Sequence, residues 1–132
     1  MNATAAANPY AMIGGEPMVA AIVNRFYDLI EADPAYAKLR AIHAADLAPV
    51  RHGLTRFLSG WMGGPRDWFD RGGCVMSLHR AFPIDRELAD EWAGAMGRAI
   101  TDQPGMEAHL AEKLREALTH MAKAMINLSI AD

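Results

Sequence analysis

Apolar residues recur along most of the chain at spacings of three and four, the period of a helix buried on one face. Val19, Ile22, Val23, Phe26 and Ile30 form one stripe, and Leu47, Val50, Leu54, Phe57, Leu58 and Trp61 a second. Leu88, Trp92, Ala95, Met96, Ala99 and Ile100 form a third, and Leu110, Leu114, Leu118, Met121 and Met125 a fourth. Glycine and proline separate them. A short first helix is predicted over Pro9 to Ile13, broken at Gly14-Gly15. Pro17 then sits in the first turn of the next helix, where its missing N–H does no harm. Asp33-Pro34 ends that helix and starts a short one through Leu39, and Asp46 is the predicted N-cap of the helix that Gly63-Gly64-Pro65 stops.

The pattern weakens from Arg66 to Gly73, which reads as a loop with at most one helical turn. Val75 to Arg80 reads as a short helix, limited by Pro83. Asp85 caps a long helix, Asp102 to Gly105 make a turn, and the last helix runs from Met106 to Leu128. No stretch alternates with period two, and no Asn-Gly or Asp-Gly hairpin signal occurs. The expected fold is all-α, built on about four substantial helices.

Composition narrows the class. The 132 residues suit one domain over 1–132, with an Ala-rich N-terminal arm over 1–9. Apolar residues make up 52% and charged residues 22%, which is globular and not disordered. A net charge of −3 without a basic run argues against nucleic acid or an anionic membrane surface as partner. No apolar run approaches the roughly 18 residues that span a bilayer, and the arm lacks the basic start of a signal peptide. The single cysteine, Cys74, cannot form an internal disulfide, so a reducing, cytoplasmic setting is expected.

Few residues carry obvious chemistry. There is no P-loop, no His-Glu-x-x-His and no Cys-x-x-Cys. Cys74 reads as a small buried apolar group. His52, His109 and His120 lie in helices among charged neighbours and read as solvated. His79 stands between Leu78 and Phe82-Pro83-Ile84. Its local pattern alone favours a satisfied core histidine, although an imidazole held there would also suit haem iron. Tyr27 and Trp92 lie on or beside apolar stripes. Each reads either as core or as a ring whose polar tip meets a ligand.

Taken in order, Ile13-Gly14-Gly15-Glu16, Arg25-Phe26-Tyr27, Trp61-Met62-Gly63-Gly64-Pro65, His79 with Phe82-Pro83-Ile84, and Glu91-Trp92 followed by Met96 resemble the group II truncated haemoglobins. His79 and Trp92 are 13 residues apart, as the proximal histidine and pocket tryptophan are in that group. The resemblance covers about Tyr10 to Leu128. It implies a two-over-two helical sandwich around a b-type haem, with His79 as the iron ligand. It places Tyr27, His43, Val50, Leu54 and Trp92 on the opposite haem face, with Trp92 the main hydrogen-bond donor and Tyr27 and His43 in support. Met96 and Met125 become flexible contacts around the cofactor. Gly73-Cys74-Val75-Met76-Ser77-Leu78 departs from relatives that carry an Arg-rich run there for the haem propionates, and Arg80 is the expected substitute.

The implied function is reversible binding of O2, CO, NO or similar ligands at ferrous haem. Polar rings crowding one pocket suit NO dioxygenation or peroxide reduction, with a separate reductase, better than oxygen storage. A monomer or homodimer fits. The alternatives are a haem-based gas sensor, which needs a partner domain, and a cofactor-free helical interaction module.

Overall fold

The structure, a computed structural model, describes residues 8–65 and 84–126. Helix α1 spans Pro9–Ile13 and α2 Glu16–Ala32. A 3-10 turn at Pro34–Tyr36 leads into α3, Ala37–Ala41. Helix α4 spans Ala48–Trp61, α5 Arg86–Thr101 and α6 Ala108–Ala124. No strand occurs among the described residues, and none of their helices is long and apolar enough to cross a membrane. The expected Arg66–Gly73 loop and Val75–Arg80 helix, with Cys74, His79, Arg80 and Pro83, lie outside the described residues.

Helix ends follow local chemistry. Asn8 accepts the N–H of Ala11 and caps α1, which Pro9 opens. Asp33 ends α2, and its side chain accepts the N–H of Ala35 in the following turn. Asp85 accepts the N–H of Leu88 and caps α5. Asp46 works one position earlier than expected: Leu47 is the N-cap residue of α4, and Asp46 accepts the N–H of Ala48. Glu107, and not the Met106 region, starts α6, accepting the N–H groups of His109 and Leu110.

Gly63, at φ +103°, closes α4 in a left-handed turn in which the Gly64 N–H bonds to the Ser59 carbonyl. A Cβ at Gly64 would come within 2.7 Å of the Tyr10 ring, so only glycine lets α1 lie against this turn. Trp61 was expected in the apolar stripe of α4 but is 36% exposed. The helix ends there, and Met62, in the turn, takes the buried place instead.

The helices pair as α2 with α4 and α5 with α6, and the two pairs join through α2 against α5. Lying between α4 and α5, α2 buries a broader face than its stripe predicts, adding Tyr27 and Leu29. Ala95 and Ala99 are fully covered. Their small side chains let α5 pack closely with its neighbours. Helix α4, by contrast, makes no extensive contact with α5 or α6 among the described residues. This pairing fits the two-over-two helical sandwich that the resemblance implies.

Ion pairs tie the ends together. Lys38 of α3 reaches Asp85 at 2.6 Å and Glu87 at 3.1 Å. The Lys38 ammonium and the Leu88 N–H hold the Asp85 carboxyl below the usual carboxylate range. A depressed folded-state value gives stability that is present above the unfolded value and is lost as pH falls through the folded one. Asp85→Asn keeps a capping side chain but removes the pair. Its urea midpoint should therefore lie below the parent's near neutrality, and the two should converge as pH falls through the lowered Asp85 value. Equal midpoints at neutral pH would show that the pair adds nothing.

Candidate functional site

Helix α2 carries Phe26 and Tyr27 in succession. Phe26 is fully buried, and Tyr27 is 5% exposed. Their rings meet edge-on at 4.8 Å. On one side Phe26 lies 5.5 Å from Trp92 of α5, and on the other Tyr27 lies 5.7 Å from His43, just after α3. Three of the expected site residues, Tyr27, His43 and Trp92, thus form one continuous set of rings, with Phe26 as the bridge.

Burial pushes the Tyr27 hydroxyl up to about 12, against an opposing pull from Arg51. It therefore stays a protonated phenol, able to donate, throughout the neutral range. The Arg51 guanidinium of α4 lies 5.7 Å from the centre of the Tyr27 ring. Arg51 is fixed by donating to the carbonyl and side-chain oxygens of Asn24 and to Asp28. No sequence pattern marked Arg51, because its partners lie a helix away.

The His43 ring is set by its Nδ1, 2.9 Å from the Leu39 carbonyl oxygen. A carbonyl only accepts, so Nδ1 carries the hydrogen, and the neutral ring presents Nε2 as an acceptor. The expected support of His43 as a donor is therefore confined to its charged form. Leu39 in turn donates its N–H to Glu91 Oε1 at 2.9 Å. Glu91 directly precedes Trp92, and its role was not read from the sequence.

Val50 and Leu54, one turn apart on α4, pack on the core yet are half-buried, as are Trp92, Met121 and Met125. Met96 is inside the core at 1% exposure. His52, His109 and His120 are exposed, as expected. His79 and Arg80 lie outside the described residues.

Among the described residues no group of three or more His, Cys, Asp or Glu side chains could hold a bare metal ion. The arrangement fits a flat apolar cofactor with a small polar ligand. Helices α4, α5 and α6 carry half-covered apolar side chains, and α4 does not close against the other two. Neither the Tyr27 hydroxyl nor the Trp92 indole N–H forms a hydrogen bond to another described residue. Polar tips of this kind can donate to a small ligand held beside the rings.

Residues 8–127 match the bacterial-like globin family. The chain is 32% identical over 126 residues to the group 2 truncated hemoglobin YjbI of Bacillus subtilis, covering 94% of this chain and 92% of that protein. It superposes on the group II 2-on-2 hemoglobin of Agrobacterium tumefaciens with a TM-score of 0.85 at 31% identity, covering 92% of this chain and 95% of that one. The cold-adapted truncated hemoglobin of Pseudoalteromonas haloplanktis gives a TM-score of 0.83 at 34% identity, covering 92% and 99%. Sequence and fold agree over nearly the whole length, and the chain belongs to the bacterial-like globin family as a group II truncated haemoglobin.

Proposed function

We propose that the protein carries a b-type haem with His79 as its iron ligand and binds O2, CO and NO reversibly, serving NO or peroxide detoxification in the cytoplasm with a separate reductase. Membership of a globin family implies haem-based binding of small gaseous ligands. Ferrous haem supplies the affinity for such ligands and the electrons passed to them. The observation that carries the finer reading is the pair of ring donors, Tyr27 and Trp92, joined through Phe26 and lacking partners among the described residues.

The chain's own part is to orient and polarise. Tyr27 and Trp92 donate to a ligand with negative charge, while Val50, Leu54, Met96 and Met125 supply apolar surface that excludes water. Two donors slow O2 release, which suits chemistry on the ligand better than rapid delivery. Arg80 is assigned to the propionates.

As the supporting donor beside Trp92, Tyr27 takes the smaller share of the ligand's charge, and a bond of about 0.5–1.5 kcal/mol means that Tyr27→Phe should raise the O2 dissociation rate roughly 2- to 12-fold in stopped flow. An unchanged rate would remove Tyr27 from the ligand's surroundings. For the reaction itself, oxygenated protein mixed with NO should yield nitrate in proportion to the O2 it held. Nitrate no higher than a buffer control would reject the dioxygenation role.

A further inference from the structure

We infer that Glu91 is a positioning residue that sets His43 for its place in the ligand pocket; this rests on the reading of His43 as a pocket residue. Helix α3 has only five residues, too few to be stable alone, so tertiary contacts decide where it sits. Leu39 is its third residue, and its N–H is one of the first-turn donors that a helix cannot satisfy internally. Leu39 is 3% exposed, so water does not readily serve that N–H. The half-buried Glu91 carboxylate supplies the acceptor at 2.9 Å. The carbonyl of the same Leu39 accepts from His43 Nδ1, also at 2.9 Å.

Helix α5 therefore places two rings at once. It carries Trp92 directly against Phe26. Through the neighbouring Glu91 and the Leu39 backbone it also places His43 against Tyr27. Lys38 ties α3 to the start of α5 through Asp85 and Glu87, but those bonds end on a side chain. Glu91 bonds the backbone of the residue that holds the imidazole. The consequence is chemical as well as positional: with Nδ1–H committed to Leu39, neutral His43 presents Nε2 as an acceptor.

The test is isotope-labelled histidine NMR on the full chain, loaded with haem in its diamagnetic ferrous CO form. The parent should show His43 as a single Nδ1–H tautomer. Glu91→Ala should lose that purity and give a mixture. Glu91→Gln should restore the parent state, because its amide oxygen accepts the same bond. Glu91→Asp, which keeps the charge but falls a methylene short, should resemble Glu91→Ala and guards against a variant that does not fold. The CO stretching band should split in Glu91→Ala and Glu91→Asp and stay single in Glu91→Gln.

A single Nδ1–H tautomer in both Glu91→Ala and Glu91→Asp would overturn the positioning role. His43→Phe separates the pocket placement of His43 from the role of Glu91. If it leaves the CO stretch where it is, the placement of His43 in the pocket fails, while the tautomer result still judges Glu91.

Discussion

Replacing His79 with alanine is expected to strip the protein of tightly held haem. The expectation rests on the place of His79 before Phe82-Pro83-Ile84 and on its 13-residue distance from Trp92, the spacing that the resemblance to group II members uses. The other histidines are poor substitutes. His52, His109 and His120 are exposed on helices, and His43 lies against Tyr27, on the haem face that the resemblance sets opposite His79. A neutral imidazole is the axial ligand that holds haem iron in globins. Loss of an outer partner of a metal ligand typically costs roughly 10–100-fold in affinity, and loss of the ligand itself should exceed that. Transfer of haem to an apoglobin acceptor should accordingly accelerate by more than about 100-fold in His79→Ala, and by little in His52→Ala, His109→Ala and His120→Ala. A His79→Ala protein with an unchanged ferrous spectrum and unchanged haem transfer would end the assignment.

The second large effect is expected at Trp92. Its indole N–H donates and cannot accept, and no other described residue takes its hydrogen. Contact with fully buried Phe26 at 5.5 Å fixes one face of the ring. O2 in the loaded protein carries more negative charge than CO does, and a hydrogen bond to a charged group contributes about 1.5–3 kcal/mol. Phe keeps much of the ring and removes the donor. Trp92→Phe should raise the O2 dissociation rate roughly 10- to 150-fold, since 1.4 kcal/mol is a factor of ten. CO, the poorer acceptor, should respond far less. Stopped-flow measurement of both ligands decides: equal small shifts for O2 and CO would make Trp92 a packing residue.

What was readable in the sequence was local. Asp85 and Gly63-Gly64 marked helix ends because capping depends on residues a few positions apart. Helix α6 was placed two residues early because Glu107 is a less common cap than the Ser, Thr, Asp or Asn usually sought. Trp61 was assigned inward by periodicity, which does not register that α4 ends at that residue. The Tyr27 and Leu29 burial escaped the stripe because it follows from α2 lying between two helices.

The site divides the same way. Tyr27, His43 and Trp92 came from the family resemblance, and the structure draws their rings together. Phe26, read as core, is core and also the bridge between Tyr27 and Trp92. The roles of Arg51 and of Glu91, which the motif Glu91-Trp92 marks only as a neighbour of Trp92, escape the sequence because their partners are distant in the chain: Arg51 reaches Asp28 across 23 positions, and Glu91 reaches Leu39 across 52. Such contacts depend on helix packing, which periodicity alone does not specify.

An absorption titration of the purified protein with haemin tests the central claim most directly. A Soret band is expected that grows to saturation at one haem per chain and, after reduction, shifts sharply on exposure to CO. A titration with no Soret band beyond that of free haemin, and no change with CO, would contradict it and leave a cofactor-free helical protein.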